Sequence, residues 1–254
     1  MSDIAKDFIS HLTIAALKGI DGKARPFYEQ ALQGACSSVP PPYSMQWFGE
    51  TFRRKGRDAS WFAGLLVSDA HMEGYSAGRL WQYGERIADP GLSEGMLRHA
   101  RDEAKHSQLF GRVVVDVFPQ LKSAALSEQL ASFVPQFPVA AGTLTDAPTF
   151  EELLNSLILI NLYEIKALVL GQLLLPLALA HAPEANKRRV SKMLEGILRD
   201  EVYHVRYSAD FIEAACAAGH QAYVFSALEE FQKTLNVVTE AELNDAVESN
   251  EIYL

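Results

Sequence analysis

At 254 residues the chain is long enough for one large domain or two small ones, with a sizeable core. Its net charge of −9, with no basic run stronger than Arg53-Arg54-Lys55 or Lys187-Arg188-Arg189, argues against a nucleic-acid surface. The two cysteines, Cys36 and Cys216, belong to no Cys-x-x-Cys pair, which excludes zinc-ribbon chemistry.

The N-terminus, Met1 to Asp7, has no basic region followed by an apolar run, so no signal peptide is expected and the cytoplasm is the expected location. Residues 3–19 read as an amphipathic helix on Ile4, Phe8, Ile9, Leu12, Ala15 and Ala16, and a second short helix is expected over 25–34. Three consecutive prolines, Pro40 to Pro42, break regular structure, so 36–57 reads as a covering loop with a short helix. A long helix is expected over about 59–88, ended by the turn chemistry of Asp89-Pro90-Gly91. A second long helix, about 92–118, stops before Pro119. Residues 119–147 read as a crossover holding a short helix near 121–131. The third long helix, about 149–181, is apolar enough for a membrane span. Asn161, Glu164, Lys166 and Gln172 are expensive in lipid, so a buried core helix and no membrane contact are expected. The fourth runs about 187–217, and 220–234 and 238–248 read as C-terminal helices outside the core. No strand or Gly-rich phosphate loop is evident.

The second and fourth long helices share a motif. Arg101-Asp102-Glu103-Ala104-Lys105-His106 and Arg199-Asp200-Glu201-Val202-Tyr203-His204 each carry Glu-x-x-His behind Arg-Asp. Positions i and i+3 share a helix face, so each motif offers a carboxylate and an imidazole to one point. With 20 Glu and seven His in the chain, random placement gives roughly half of one such motif. Two copies with matching prefixes exceed that expectation. The stripe Leu92, Met96, His99, Glu103, His106, Phe110, Val113, Val117 matches Val190, Leu194, Ile197, Glu201, His204, Ser208, Phe211, Ala215 at a constant offset of 98 residues. Such seams face an interior, where an unpaired charge is costly. The alternative is a buried Glu paired with Lys or Arg in each helix.

The first and third long helices each add a carboxylate. Glu73 lies 17 residues before Pro90, while Glu103 and His106 lie 13 and 16 after it, so the three sit at nearly one height in a helical hairpin. Asp69 is the second choice and Glu85 has no partner at its height. Glu164, on the core stripe of the most apolar segment, calls for a cation or a raised pKa. It lies 20 residues before Glu184, with Glu201 and His204 17 and 20 after it.

Two single Glu residues and two Glu-x-x-His motifs on four long helices, with a long crossover, resemble the ferritin-like carboxylate-bridged di-iron proteins over about 59–217. The resemblance implies an all-α fold: a single ferritin-like domain with a four-helix core at about 59–217, an N-terminal helical extension at 1–58 and C-terminal helices at 218–254. It also implies Glu73, Glu103, His106, Glu164, Glu201 and His204 as metal ligands and catalytic residues. Glu103 and Glu201 would bridge two iron ions, or manganese, or a mixed Mn/Fe pair. Four carboxylates neutralise two divalent ions, so such a site can be buried without a large Born cost. Asp102 and Asp200 would fix the imidazole tautomers, with a solvated helix salt bridge as the alternative. His99, four residues before Glu103, resembles the extra ligand of some di-iron arylamine N-oxygenases; a core histidine or an outer donor is the alternative.

Within that family several branches fit poorly. A rubrerythrin would carry a Cys-x-x-Cys pair, a ribonucleotide reductase subunit a tyrosine where Phe110 stands, and many hydroxylases a Thr near Ala167 and Leu168. Storage ferritins are shorter. The resemblance therefore implies an oxidoreductase, an oxidase or oxygenase that activates O2 on a small, largely apolar substrate. Gly74, Ala77, Gly78, Gly171 and the leucines at 168–175 would leave room for that substrate or serve close helix packing. An external electron donor and a homodimer follow by family habit. Ferroxidase activity, or a non-catalytic partner subunit stabilised by metal, are the alternatives.

Overall fold

In the computed structural model, which describes residues 8–137 and 147–245, the described residues are helical and include no strand. The helices are α1 (Phe8–Asp21), α2 (Pro26–Ser38), α3 (Gln46–Lys55), α4 (Ala59–Gly84), α5 (Pro90–Val117), α6 (Ala124–Ser132), α7 (Phe150–His181), α8 (Glu184–Ala215) and α9 (Gln221–Asp245). Short 3₁₀ turns at Pro42–Ser44 and Pro119–Leu121 and a π-turn at Cys216–His220 complete the order. The four long helices stand where the hydrophobic periodicity puts them. The expected turns at 3–7, the middle of the crossover at 138–146 and the end of the last helix at 246–248 lie outside the described residues.

Some boundaries differ from the sequence reading. Cys36–Ser38 remain in α2, because the proline run begins only at Pro40, and the short helix expected within 36–57 is the ten-residue α3. The last helix is one continuous element rather than two, with Gln232 bonded to Asn236 and Thr239 to the Leu235 carbonyl across the expected break. It is also not peripheral: Val224, Leu228, Leu235 and Leu243 are buried, and α9 packs on α2.

The chain divides into two compact units. One comprises 8–54, 150–174 and 198–245, and the other 55–137, 147–149 and 175–197. In the first, Ile9, Leu17, Leu32, Phe48, Leu154, Ile158 and Leu162 form the core. The start of α2 is held by α8: the Tyr28 backbone N–H donates to the Glu213 carboxylate at 2.8 Å, satisfying a first-turn donor that Arg25 does not cap. Arg25, buried, pairs with Asp21 at 2.7 Å and Asp210 at 2.9 Å.

In the second unit, α4 and α5 form a helical hairpin. Asp58 caps α4 by accepting from Trp61 N–H, and Asp89 caps α5 by accepting from Leu92 N–H, both at 2.8 Å. Ser93 Oγ donates to the Gly84 carbonyl and Ser107 Oγ to the Ala70 carbonyl. The two contacts lie fourteen residues apart on both helices, which fixes an antiparallel register. That register brings Glu73 level with 103–106. The first residues of α8 are tied to the end of α5 by Arg189 on the Asp116 carboxylate and Asn186 on its carbonyl.

The helix Phe150–His181 is long and apolar enough to cross a membrane, with a mean hydropathy of 1.7 over its most apolar window, and half of that window is buried within the fold.

Candidate metal centre

The α5 seam is buried as its periodicity requires: Met96, His99, Glu103, His106, Phe110, Val113 and Val117 all lie inside. The same holds on α8 for Val190, Leu194, Ile197, Glu201, His204, Ser208 and Ala215, with Phe211 half-buried. Both Glu-x-x-His motifs therefore sit on the inner face of their helices, where a charge needs a partner.

In the α4–α5 unit, His106 Nδ1 lies 3.5 Å from Glu103 Oε1 and 3.7 Å from Glu73 Oε2. His99 Nε2 is 3.2 Å from the same Glu103 oxygen. Glu73, Glu103 and His106 each place a ligand atom within 4.8 Å of the others. His106 and His99 are fully enclosed, while Glu73 keeps a partly open side. Burial works against the charge on Glu103, yet its contacts with Glu73, His106 and His99 together outweigh it and hold the carboxyl well below its usual range. Glu103 is thus a buried anion.

The other unit repeats the arrangement. His204 Nδ1 lies 2.9 Å from Glu201 Oε2 and 3.5 Å from Glu164 Oε2. In both sets the same imidazole nitrogen faces the Glu three residues earlier on its own helix and a single Glu from another helix. Metal–oxygen and metal–nitrogen bonds of about 2.0–2.2 Å put neighbouring ligand atoms roughly 3 to 3.5 Å apart around one ion. The observed separations of 2.9–3.7 Å bracket that spacing, and the shortest, between His204 Nδ1 and Glu201 Oε2, is also a hydrogen bond. These buried Glu and His groups can hold a metal ion, and the donors, oxygen with one or two imidazoles, suit a divalent transition metal.

The structure also sorts residues whose role the sequence left open. Asp102 is half-buried, and its carboxylate lies 3.8 Å from Arg98 Nε. Two of the glycines serve close packing. A Cβ on Gly74 would stand 1.9 Å from the Phe133 carbonyl oxygen, and one on Gly171 would stand 2.5 Å from Leu198 Cδ2. Gly78, by contrast, has open space beside it. In the α4–α5 unit a cleft of about 670 Å³ is lined by apolar residues such as Val115, Leu130 and Met193 and by charged ones, Arg112, Asp116 and Arg189 among them. Lys166, two residues after Glu164, is buried, ion-paired with Glu242 and stacked 5.6 Å from the Tyr163 ring centre. A lysine in the most apolar helix was the signal for that pair, but its partner on α9 has no sequence signature.

No protein-family model, curated protein or solved structure matches this chain.

Proposed function

We propose that the chain is a non-haem di-iron oxidase or oxygenase of ferritin-like, four-helix-bundle type that uses O2 on a small, largely apolar organic substrate. The observation that carries it is the duplicated set: a buried Glu-x-x-His facing a single Glu at ligand spacing, twice in one chain. A structural ion pair explains one buried Glu, but it gives no reason for the same imidazole atom to face two carboxylates in both places.

In this reading Glu73, Glu103, His106, Glu164, Glu201 and His204 together hold the two ions. Two ferrous ions, when bound, supply two electrons and a binding site for O2. The four carboxylates offset the four positive charges, and as hard oxygen donors they favour the oxidised state of iron. Burial of the imidazoles keeps water from competing for the ligands. Reducing O2 fully takes four electrons; the substrate would give two and an external donor the other two.

The test is O2 consumption by Fe(II)-loaded protein, with a chemical reductant, against a panel of small apolar substrates. Substrate-dependent uptake that Glu201→Ala abolishes supports the proposal. Oxidation that ends with ferric mineral outside the protein, whatever the organic substrate, supports iron handling instead.

A further inference from the structure

Three side chains with no exposed surface run from α2 to the Glu164–Glu201–His204 set, all within one compact unit. The Tyr28 hydroxyl donates to Asn161 Oδ1 at 2.9 Å. Asn161 Nδ2 donates to Ser208 Oγ at 3.0 Å and to the Val205 carbonyl at 3.2 Å. The Ser208 hydroxyl has two acceptors one turn back on α8, the His204 carbonyl at 2.9 Å and the Val205 carbonyl at 3.0 Å. Both amide hydrogens and the amide oxygen of Asn161 are engaged.

Stability alone does not account for this chain. Burying an amide and a hydroxyl costs nearly what their hydrogen bonds return, and a leucine of similar size at 161 would bury no polar atom at all. What a fully satisfied polar network adds is direction and register. Asn161 stands one turn before Glu164 on α7. Val205 and Ser208 stand in the turn of α8 that follows His204. The amide therefore ties together the two helix turns that bring Glu164 Oε2 to 3.5 Å from His204 Nδ1. Tyr28 is itself fixed, because α2 is anchored to α8 through Glu213 and through Arg25 on Asp210.

We infer that Tyr28, Asn161 and Ser208 are positioning residues that hold Glu164 against His204 in a geometry ready for a divalent ion. The inference rests on the metal reading above and adds the N-terminal helices to it: they set the metal site rather than merely cover it. The three side chains reach the ligands through backbone and neighbouring turns and touch no metal-binding atom, so their effect should appear in metal affinity and ligand field.

The experiment is a Co(II) titration followed by visible absorption, whose bands report coordination geometry, with far-UV circular dichroism as the check on folding. Wild type, Asn161→Leu, Tyr28→Phe and Ser208→Ala are compared. Loss of such supporting contacts typically weakens metal binding on the order of 10–100-fold. The expected result is two Co(II) per wild-type chain. In Asn161→Leu one of them should bind on the order of 10–100-fold more weakly with an altered spectrum, while helix content is unchanged. Smaller shifts of the same sense are expected in the other two variants, which also carry the test if Asn161→Leu does not fold. Variants that fold and bind both ions with wild-type affinity and spectrum overturn the inference and leave the metal reading intact. A wild-type chain that binds no Co(II) overturns both.

Discussion

His106 Nδ1 and Glu73 Oε2 face each other at 3.7 Å from neighbouring helices, α5 and α4. Their meeting is set by a hairpin register that two serine hydroxyls fix at Gly84 and Ala70. The same imidazole atom also faces Glu103, and His204 repeats the relationship with Glu164 and Glu201. Ligand spacing in both places is the basis for the predictions about metal.

Glu164→Ala removes one carboxylate from the α7–α8 set and no helix-forming residue; alanine has the better helix propensity. The variant should keep its helix content by circular dichroism and bind at most one metal ion per chain by elemental analysis. Two ions bound as in wild type would exclude Glu164 as a ligand.

Gly74→Ala should destabilise strongly, because its Cβ would meet a backbone carbonyl, Phe133, at 1.9 Å. A backbone oxygen cannot swing aside as a side chain does, so the penalty should reach the upper part of the about 1–3 kcal/mol range for overpacking. Urea unfolding checks this. Gly78→Ala is the control, with nothing within 4 Å of its added methyl group, and should be neutral or slightly stabilising by helix propensity.

Glu242→Ala leaves Lys166 buried without the carboxylate that pairs with it. Glu242 is half-exposed, so water offsets part of the loss, and a cost of about 1–3 kcal/mol is expected. Adding Lys166→Met to the variant removes the stranded charge and should recover most of the loss. A double variant no more stable than Glu242→Ala would show that the pair does not govern this contact.

Hydrogen bonds from Arg25, then from the Lys23 backbone N–H, hold the Asp21 carboxyl down at about 2. A carboxyl lowered in the folded state contributes stability that is complete above its unfolded pKa of about 3.9 and disappears as pH falls toward 2. Asp21→Asn should therefore flatten the stability–pH curve between about pH 4 and 2 and leave its shape near neutrality unchanged. Thermal unfolding across that range reads the difference.

Much of this was legible in the chain itself. The four long helices, the buried seams on α5 and α8, and the matching heights of Glu73 and Glu103 with His106 all follow from 3.6-residue periodicity and Asp89-Pro90-Gly91. Those signals are local. What could not be read is set by contacts far apart in sequence. Asn161 looked like an obstacle to a membrane span, and only the fold supplies Tyr28, 133 residues away, as its partner. Lys166 met Glu242 in the same way. The glycines were ambiguous because a missing side chain reads alike whether it leaves space, as at Gly78, or admits a neighbouring backbone, as at Gly74. The gap expected between 234 and 238 is helical in the fold, where Asn236 is bonded to the Pro40 carbonyl, a partner 196 residues away.

The central claim is tested most directly by titrating the chain with Fe(II) under anaerobic conditions and then admitting one pulse of O2 while bound iron and absorbance are followed. The account predicts two irons per chain, consumption of O2, and iron retained in the protein afterwards. A chain that does not take up two metal ions would contradict it, returning Glu103, His106, Glu201 and His204 to the role of buried structural pairs.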